Sequence, residues 1–439
     1  MGPGQAALAH RGPVPYLAAM KTAPSARLAA AQLLDAVLQG KRTLEDAMAG
    51  VQTLRVLEPR DRGFARMLSA TVLRRLGTID AILAQCLDKG APPKPVESPL
   101  RLGVPQLLFL GTPAHAAVGE TVDLAPQQLR GLVNAVLRRV SRDGEKMLAA
   151  IDAPRADTPA WLWAILVDSW GEAKARDIVA GQLREPPLDI TVKSNAADWA
   201  AKLGAKLLPT GTLRLEEAGN VAELPGFEEG AWWVQDEAAA LPVHLLGDVA
   251  GKRVLDLCAA PGGKTLQLAA AGGKVTAVDQ SAKRLDRVVE NLARTMLAAE
   301  IVNADASKWT PKAPYPFILL DAPCTATGTL RRHPEIAHLK NSADAVKLMA
   351  AQDRLLDAAA AMLEPGGTLV YAVCSLDKRE GSARVAAFLD RHRDFARIPV
   401  TATEIGGRGE LIDAAGDLVT TPANGMDGFQ AARLRRRAN

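Results

Sequence analysis

Cysteine is scarce in this sequence: four residues in 439 (Cys86, Cys258, Cys324 and Cys374), with no C-x-x-C pair and no spacing suited to zinc. That excludes a disulfide scaffold, argues against a structural metal, and points to a reducing, cytoplasmic setting. Aromatics make up only 4% of the chain, and no apolar run approaches the roughly 20 residues of a membrane helix. The opening MGPGQAALAHRGPVPYLAAMKTAPSAR has no basic segment followed by a long apolar one, so residues 1–24 read as a flexible tail and not as a signal peptide. Charge of one sign is also lacking. Lys plus Arg at 53 against Asp plus Glu at 49 leaves +4, so a nucleic-acid partner would have to be held by local basic surfaces. There is no solenoid repeat and no low-complexity tract. What remains is an ordinary composition, 48% hydrophobic and 23% charged, in a chain long enough for about three domains.

The residues present sort into three textures. From residue 25 to about 150 the pattern is helical. In SARLAAAQLLDAVLQG the apolar positions Leu28, Ala31, Leu34 and Leu38 recur at helical spacing, with Ser25 placed to cap the start and Gly40 to end it. DRGFARMLSATVLRRLG, TIDAILAQCLDKG and LRGLVNAVLRRVSRDG repeat that logic, and an all-α domain is expected over 25–150. Beyond the Pro- and Asp-rich DAPRADTP, two short helices lead to β-like runs (DITVKS, TLRLEE, AWWVQD) around the helix-like AADWAAKLG. These predict a small α+β connector over 151–240. Trp161, Trp163 and Trp170 are expected in the core. Over 241–439, β-runs alternate with helices: RVLDLC, KVTAVD, AEIVNAD, PFILLDAP and GTLVYAV. This predicts an α/β, Rossmann-like domain with a mostly parallel, doubly wound sheet whose ligands bind beyond the carboxyl ends of its strands.

The turn after the first of these strands reads CAAPGGKT. Its small residues let a ligand approach the backbone, and Gly262 with Gly263 gives the φ freedom that brings peptide N–H groups inward. It misses the phosphate-binding P-loop, whose first glycine is Cys258 here, and no G-x-G-x-x-G is present, which weakens nucleoside triphosphate and dinucleotide readings. Asp279 ends the second strand 21 residues after Cys258, where a carboxylate accepts from both hydroxyls of an adenosine ribose. Asp305, after the third strand, borders the same crevice within reach of an adenine. Singly, such aspartates are as often turn or helix caps. In series with Asp256 and Asp321 they point to a nucleoside.

Cys324 in DAPCTATG and Cys374 in YAVCS fall at the ends of the fourth and fifth β-runs, beside polar or Gly-rich turns. Cys86, on the apolar face of AILAQCL, reads instead as a small buried hydrophobe. A thiolate is suited to add to C6 of a pyrimidine, because C5 of cytosine becomes nucleophilic only once that addition turns the ring into an enamine. Ionising an ordinary thiol at pH 7 costs about 2 kcal/mol, which a neighbouring cation or dipole reduces.

CAAPGGK, DAPCTATG, RRHPEI and the Cys-Ser after the fifth strand resemble the S-adenosylmethionine-dependent RNA cytosine-C5 methyltransferases of the Sun family. LEPRDRGFARMLSATVLRRLGTID, GTPAHAAVGETVDLA and LRGLVNAVLRRV resemble the NusB-like RNA-binding domain fused to the RsmB/Sun-type 16S ribosomal RNA methyltransferases. The likeness runs from about residue 26 to the C-terminus. It implies that Cys258, Ala259, Ala260, Pro261, Gly262, Gly263 and Lys264, with Asp279, Asp305 and Asp321, hold S-adenosylmethionine without a metal. It also implies that Cys374 is the nucleophile and that Cys324 assists breakdown of the covalent adduct; in the mechanism this suggests, Asp321 hydrogen-bonds the Watson–Crick edge of the target base. The substrate implied is a cytosine of 16S rRNA, free or in a partly assembled small subunit, with the enzyme acting as a monomer. DNA cytosine methyltransferases attack from a Pro-Cys motif, here Pro323-Cys324, so spacing alone leaves the two cysteine roles open. A transfer RNA methyltransferase and a non-catalytic RNA-binding assembly or antitermination factor are the alternative readings.

Three places depart from the family pattern. Val373 stands where threonine usually precedes the nucleophile, Thr191 and Lys193 stand where an Arg-x-Asn usually follows Pro-Pro, and Gln430 stands where an aromatic is expected. Basic residues complete the reading. Arg331 and Arg332 are placed to neutralise RNA phosphates. Arg433, Arg435, Arg436 and Arg437 form a basic C-terminal tail, and Arg60, Arg62, Arg66, Arg74 and Arg75 lie near helix faces of the N-terminal domain.

Overall fold

The computed structural model describes residues 23–438 except 89 and 218, so the tail expected over 1–24 lies outside the described residues as far as 22. The chain divides into two compact units, one running to Trp163 and including His333–Lys340, the other comprising Ala164–Arg332 and Asn341–Asn439.

The first unit is helical: Ala26–Leu38 (α1), Leu44–Gly50 (α2), Pro59–Arg74 (α3), Leu76–Cys86 (α4), Lys94–Leu108 (α5), Ala114–Val122 (α6), Arg130–Ala149 (α7) and Ala153–Ala156 (α8). Ser25 caps α1 by accepting from the Leu28 amide at 3.2 Å. Of the stripe read from the sequence, Leu28, Ala31 and Leu34 are buried and Leu38 is half-buried; Ala29, Ala30, Leu33 and Val37 are buried as well, so that apolar residues surround almost the whole helix, as they do when a helix forms the middle of a bundle. Cys86 is half-buried against this core, as its apolar surroundings in the sequence indicated. The segment His333–Lys340 joins this unit by buried polar contacts. Glu335 Oε1 accepts from the Leu44 amide at 3.3 Å, His338 Nε2 lies 2.8 Å from the Leu73 carbonyl, and Trp161 Nε1 donates to the Ala337 carbonyl at 3.2 Å.

The division falls within Ala160–Trp170 (α9), which Glu172–Gln182 (α10) follows. Trp161, Trp163 and Trp170 are half-buried and use their polar or π faces, so they are edge residues and not core. The connector forms a four-stranded antiparallel sheet from Leu188–Val192 (β1), Lys206–Leu207 (β2), Leu213–Leu215 (β3) and Trp232–Val234 (β4), in the order β2-β3-β1-β4, with Ala196–Leu203 (α11) beside it.

Glu237–His244 (α12) leads into the large sheet. Its strands are Arg253–Leu257 (β5), Lys274–Asp279 (β6), Glu300–Asn303 (β7), Tyr315–Asp321 (β8), Leu363–Val373 (β9), Phe395–Arg397 (β10), Leu418–Thr420 (β11) and Phe429–Arg436 (β12). The intervening helices are Gly263–Ala270 (α13), Ala282–Thr295 (α14), Ser342–Met362 (α15) and Ser382–Arg391 (α16). The strand order is β10-β12-β9-β8-β5-β6-β7, with β7 through β9 parallel, which is the doubly wound α/β arrangement expected. Helix α14 shows how it is built: Leu285, Val288, Leu292 and Thr295 recur at three and four residues and turn one face to the core, leaving charged residues outside. Chain order reverses between β5 and β8, so the crevice at their carboxyl ends is the topological switch point.

The basic C-terminal tail is corrected. Residues 429–436 are β12, antiparallel to β9 with Gln430 opposite Val373 and Arg435 opposite Thr368. The buried Phe429, Ala431, Ala432 and Leu434 hold the strand in place, and two of its arginines are spent on ion pairs: Arg433 with Glu404, and Arg436 with Asp394 at 3.0 Å, while Arg435 is exposed. Among the described residues no helix is long and apolar enough to cross a membrane, and no group of His, Cys, Asp and Glu is arranged to hold a metal.

Candidate active site

Strand β5 ends at Leu257 and the chain turns through Cys258 (φ 62°) and Gly262 (φ 106°) before α13 begins at Gly263. A left-handed φ is suited to glycine. A Cβ at Gly262 would also meet Val288 at 3.1 Å, so the turn lies close against α14. Asp279, at the end of β6, braces the turn from behind, accepting from the Ala260 amide at 3.2 Å and the Ser281 amide at 2.9 Å. Each carboxylate oxygen keeps a lone pair for a ligand. Asp305, two residues past β7, accepts from the Ser307 amide and hydroxyl at 3.0 and 2.7 Å, and these bonds hold its carboxyl below the usual range. Cys258 is pushed far above the ordinary thiol range, chiefly by burial and then by Asp279, and stays a neutral thiol.

At the switch point the glycine turn meets β8. Lys264 Nζ lies 2.7 Å from Asp321 Oδ2 and 5.0 Å from the centre of the Phe429 ring. Asp321 is level with Ala372 in the β8–β9 register, so the chain leaves two neighbouring parallel strands side by side, with Cys324 on one path and Cys374 on the other. Their sulfurs are 3.4 Å apart and both residues are half-buried. The Cys374 thiol beside it, with burial second, raises Cys324 well above the ordinary thiol range.

The loop after Cys324 is drawn onto the sheet by backbone contacts. Gly328 donates to the Cys374 carbonyl at 3.0 Å and accepts from the Gly428 amide at 2.9 Å, and a Cβ on Gly328 would lie 1.9 Å from the Gly428 oxygen. Only glycine permits that approach. Gln182 of α10 donates to the Thr327 carbonyl at 3.2 Å. On the Cys374 side, Trp170 Nε1 donates to the Leu376 carbonyl at 2.8 Å, with the ammonium groups of Lys174 and Lys378 each 4.6 Å from its ring centre.

The sequence reading grouped Lys264, Asp321, Cys324 and Cys374; in the structure Lys264 meets Asp321 at the end of β8, and the two sulfurs meet just beyond β8 and β9. The structure separates Arg331 from the role expected of it. Arg331 is 4% exposed, its Nε 2.8 Å from Asp427 and its Nη2 on Asp236, so it is enclosed in a buried charge cluster and cannot meet a phosphate. Arg332 joins the same cluster, donating Nε to Asp427 at 2.7 Å. Burial opposes charge on Asp236, but Arg332 and Arg331 outweigh it and hold that carboxyl below the usual range.

The departures from the family pattern also have places. Val373 is wholly buried in the core. Gln430, directly opposite it, donates Nε2 to the carbonyls of Ser375 at 2.8 Å and Asp377 at 3.1 Å, clamping the loop behind Cys374. Lys193 Nζ donates to the Thr295 carbonyl at 2.9 Å, while Thr191 Oγ1 is buried without a hydrogen-bond partner. Sequence reasoning missed Gln352, Asp427 and Glu380, whose hydrogen-bond partners lie tens of residues away in the chain.

A glycine turn after the first strand, carboxylates beyond the next strands and a pair of thiols at the switch point of a doubly wound sheet define a methyltransferase of the α/β class. Residues 243–435 match the family described as 16S rRNA methyltransferase RsmB/F, and residues 24–142 match the NusB family. Ribosomal RNA small subunit methyltransferase B of Pseudomonas putida is 40% identical over 93% of this chain and 98% of its own length, and the protein of the same name from Vibrio cholerae is 38% identical over 84% and 90%. The solved structure of PH0851 superimposes with a TM-score of 0.69 at 22% identity, covering 95% of this chain and 100% of that one. The chain belongs to the RsmB/F family of 16S rRNA methyltransferases and carries a NusB-family domain; it is an RNA-methylating enzyme.

Proposed function

We propose that this chain transfers a methyl group from S-adenosylmethionine to C5 of a cytosine in 16S rRNA through a covalent bond between Cys374 and C6. The observation that carries the reading is the thiol pair: two sulfurs 3.4 Å apart at the carboxyl ends of adjacent parallel strands. The resemblance of YAVCS to the Cys-Ser motif of the RNA cytosine-C5 methyltransferases assigns attack to Cys374 and release to Cys324. The relatives' name supports a small-subunit rRNA substrate. Every residue the mechanism needs comes from one chain, which supports a monomer, and a ribosomal substrate supports action in the cytoplasm.

The donor set fits S-adenosylmethionine. The turn from Cys258 to Lys264 offers backbone without side chains at Gly262 and Gly263, and Asp279 and Asp305 place carboxylates at the ends of the next two strands, suited to ribose hydroxyls and an adenine amine. When bound, the cofactor supplies an electrophilic methyl group. The protein's own residues prepare the base. The cytosine is unstacked into the crevice, where Asp321, its charge shared with Lys264, hydrogen-bonds the Watson–Crick edge. The Cys374 thiolate forms a bond to C6, and the displaced electron pair makes C5 nucleophilic. After C5 is methylated it loses its proton to a base, the C6–S bond breaks, and Cys374 leaves as a thiolate. Cys324 is placed to assist that elimination.

The test is a pair of substitutions. Cys324→Ala should accumulate protein covalently joined to RNA, seen as a slow band that nuclease removes, and Cys374→Ala should form neither that band nor product. Bisulfite mapping of RNA from a deletion strain should lose one cytosine mark in 16S rRNA. A Cys374→Ala protein that still methylates RNA would overturn the nucleophile, and a mark lost from transfer RNA instead would overturn the substrate.

A further inference from the structure

The two cysteines stand on irregular loops beyond β8 and β9, so the separation of their sulfurs must be set by something other than a strand ladder. One buried carboxylate reaches both loops. Glu380 lies six residues after Cys374 and is wholly buried. Its Oε1 accepts from the Thr325 amide at 3.0 Å and from Gln352 Nε2 at 3.2 Å, and its Oε2 accepts from the hydroxyls of Ser375 at 2.6 Å and Thr325 at 2.5 Å. Thr325 follows Cys324 in the chain and Ser375 follows Cys374. Gln352, on α15, also donates to the carbonyl of Pro323 at 2.9 Å, so Cys324 is held from both sides.

Glu380 is itself fixed. The Tyr371 hydroxyl donates to its carbonyl at 2.6 Å, and its amide donates to the Asp377 carbonyl at 3.0 Å. Ser375 Oγ accepts from the Asp377 amide at 3.0 Å, which leaves its proton for Glu380. Burying a carboxylate is costly without compensation, and these donors supply it. An apolar side chain of the same size would leave the Thr325 amide and two hydroxyls without this acceptor. No hydrogen bond joins Glu380 to either sulfur, so its hold on their positions passes through Thr325 and Ser375.

We propose that Glu380 is a positioning residue for methyl transfer: it ties the Cys324 loop to the Cys374 loop and fixes the distance between the two sulfurs. The proposal rests on the reading of Cys374 as nucleophile and Cys324 as its partner in release. A misplacement of about 1 Å costs on the order of 100-fold in a reaction that needs aligned groups.

The experiment compares wild type with Glu380→Gln and with Thr325→Val, the latter removing one hydroxyl donor while keeping the amide. Two quantities are measured on the folded full-length chain. The first is kcat and KM for methylation of 16S rRNA. The second, which needs no RNA, is the rate at which a diazenedicarboxamide closes a Cys324–Cys374 disulfide, the two thiols giving two protons and two electrons to the azo bond; peptide mapping identifies the pair. Glu380→Gln should lower kcat by about 100-fold with KM for RNA within about threefold, and slow disulfide closure by about tenfold or more. Thr325→Val should shift both in the same direction by less, and it carries the test if Glu380→Gln does not fold. Wild-type kcat and closure rate in folded variants would overturn the proposal, as would slowed closure with unchanged kcat. If Cys374→Ala stays active while closure still responds to Glu380, it is the assignment of the nucleophile that fails and the clamp on the thiols that stands.

Discussion

Lys264 Nζ and Asp321 Oδ2 meet at 2.7 Å, joining the end of the glycine turn to the end of the neighbouring strand β8. The pair is partly buried and lies where the chain order of the sheet reverses, so one ion pair links the proposed cofactor turn to the proposed base pocket. Asp321→Asn keeps the shape but removes the charge. It should lower single-turnover methylation by about 100-fold or more, the usual size of a lost proton-handling group, with RNA affinity within about threefold. A variant with the wild-type single-turnover rate would remove Asp321 from the chemistry.

Asp256 gives the protein a pH dependence of stability. Burial, the chief cause, raises its carboxyl to about 7 from 3.8, and Oδ1 has no hydrogen-bond partner while Oδ2 accepts from Thr265 at 2.6 Å. The folded chain therefore holds a proton that the unfolded chain has lost between about pH 4 and pH 7. Stability falls as pH rises through that window and levels above it, by up to about 4 kcal/mol from this group. Asp256→Asn should gain on wild type as pH rises from 5 to 8, measured by urea midpoints. Parallel pH profiles for the two proteins would contradict it.

Arg331 is a residue of the fold and not of the RNA surface. Arg331→Met leaves Asp236 and Asp427 buried with less compensation, and should cost about 3–5 kcal/mol in denaturant unfolding. The salt dependence of RNA binding should keep its slope, since no phosphate contact is lost. A slope reduced by about one with stability intact would restore the phosphate role.

Gln430 and Val373, both departures from the family pattern, are cross-strand partners in the β9–β12 ladder. Gln430→Leu removes the donor to the Ser375 and Asp377 carbonyls and should cost about 1–3 kcal/mol. Val373→Thr alone places a hydroxyl in a wholly buried position and should also destabilise. Val373→Thr combined with Gln430→Tyr should cost less than the sum of Val373→Thr alone and Gln430→Tyr alone, a coupling of about 0.5–3 kcal/mol seen by thermal or urea unfolding. Strict additivity would show that the two positions departed independently.

The glycine turn and the strands flanking it were legible because each is a local pattern. Small residues between a β-run and a helix mean a turn, and alternating runs of β and α mean a doubly wound sheet. The helices of the first unit were legible for the same reason, with Ser25 capping as its position indicated. Strand β12 was not: FQAARLRR presents its arginines more loudly than the four apolar residues that hold it against β9. Trp170 was read as core, yet its ring lies at the edge under two lysines, because periodicity measures burial and not which part of an indole is buried.

By itself the sequence determined the element types and the order of strands and helices that makes the sheet doubly wound, because helix and strand periods and turn glycines act over a few neighbours. Only the tertiary structure decided that Arg331 is enclosed by Asp236 and Asp427, that Lys264 meets Asp321, and that Glu380 joins Thr325 to Ser375. Those partners are far apart in the chain, as with the 55 residues from Thr325 to Glu380 and the 95 from Asp236 to Arg331. A charge is read as exposed until the fold brings its counter-charge beside it, since burial becomes tolerable only when both arrive together.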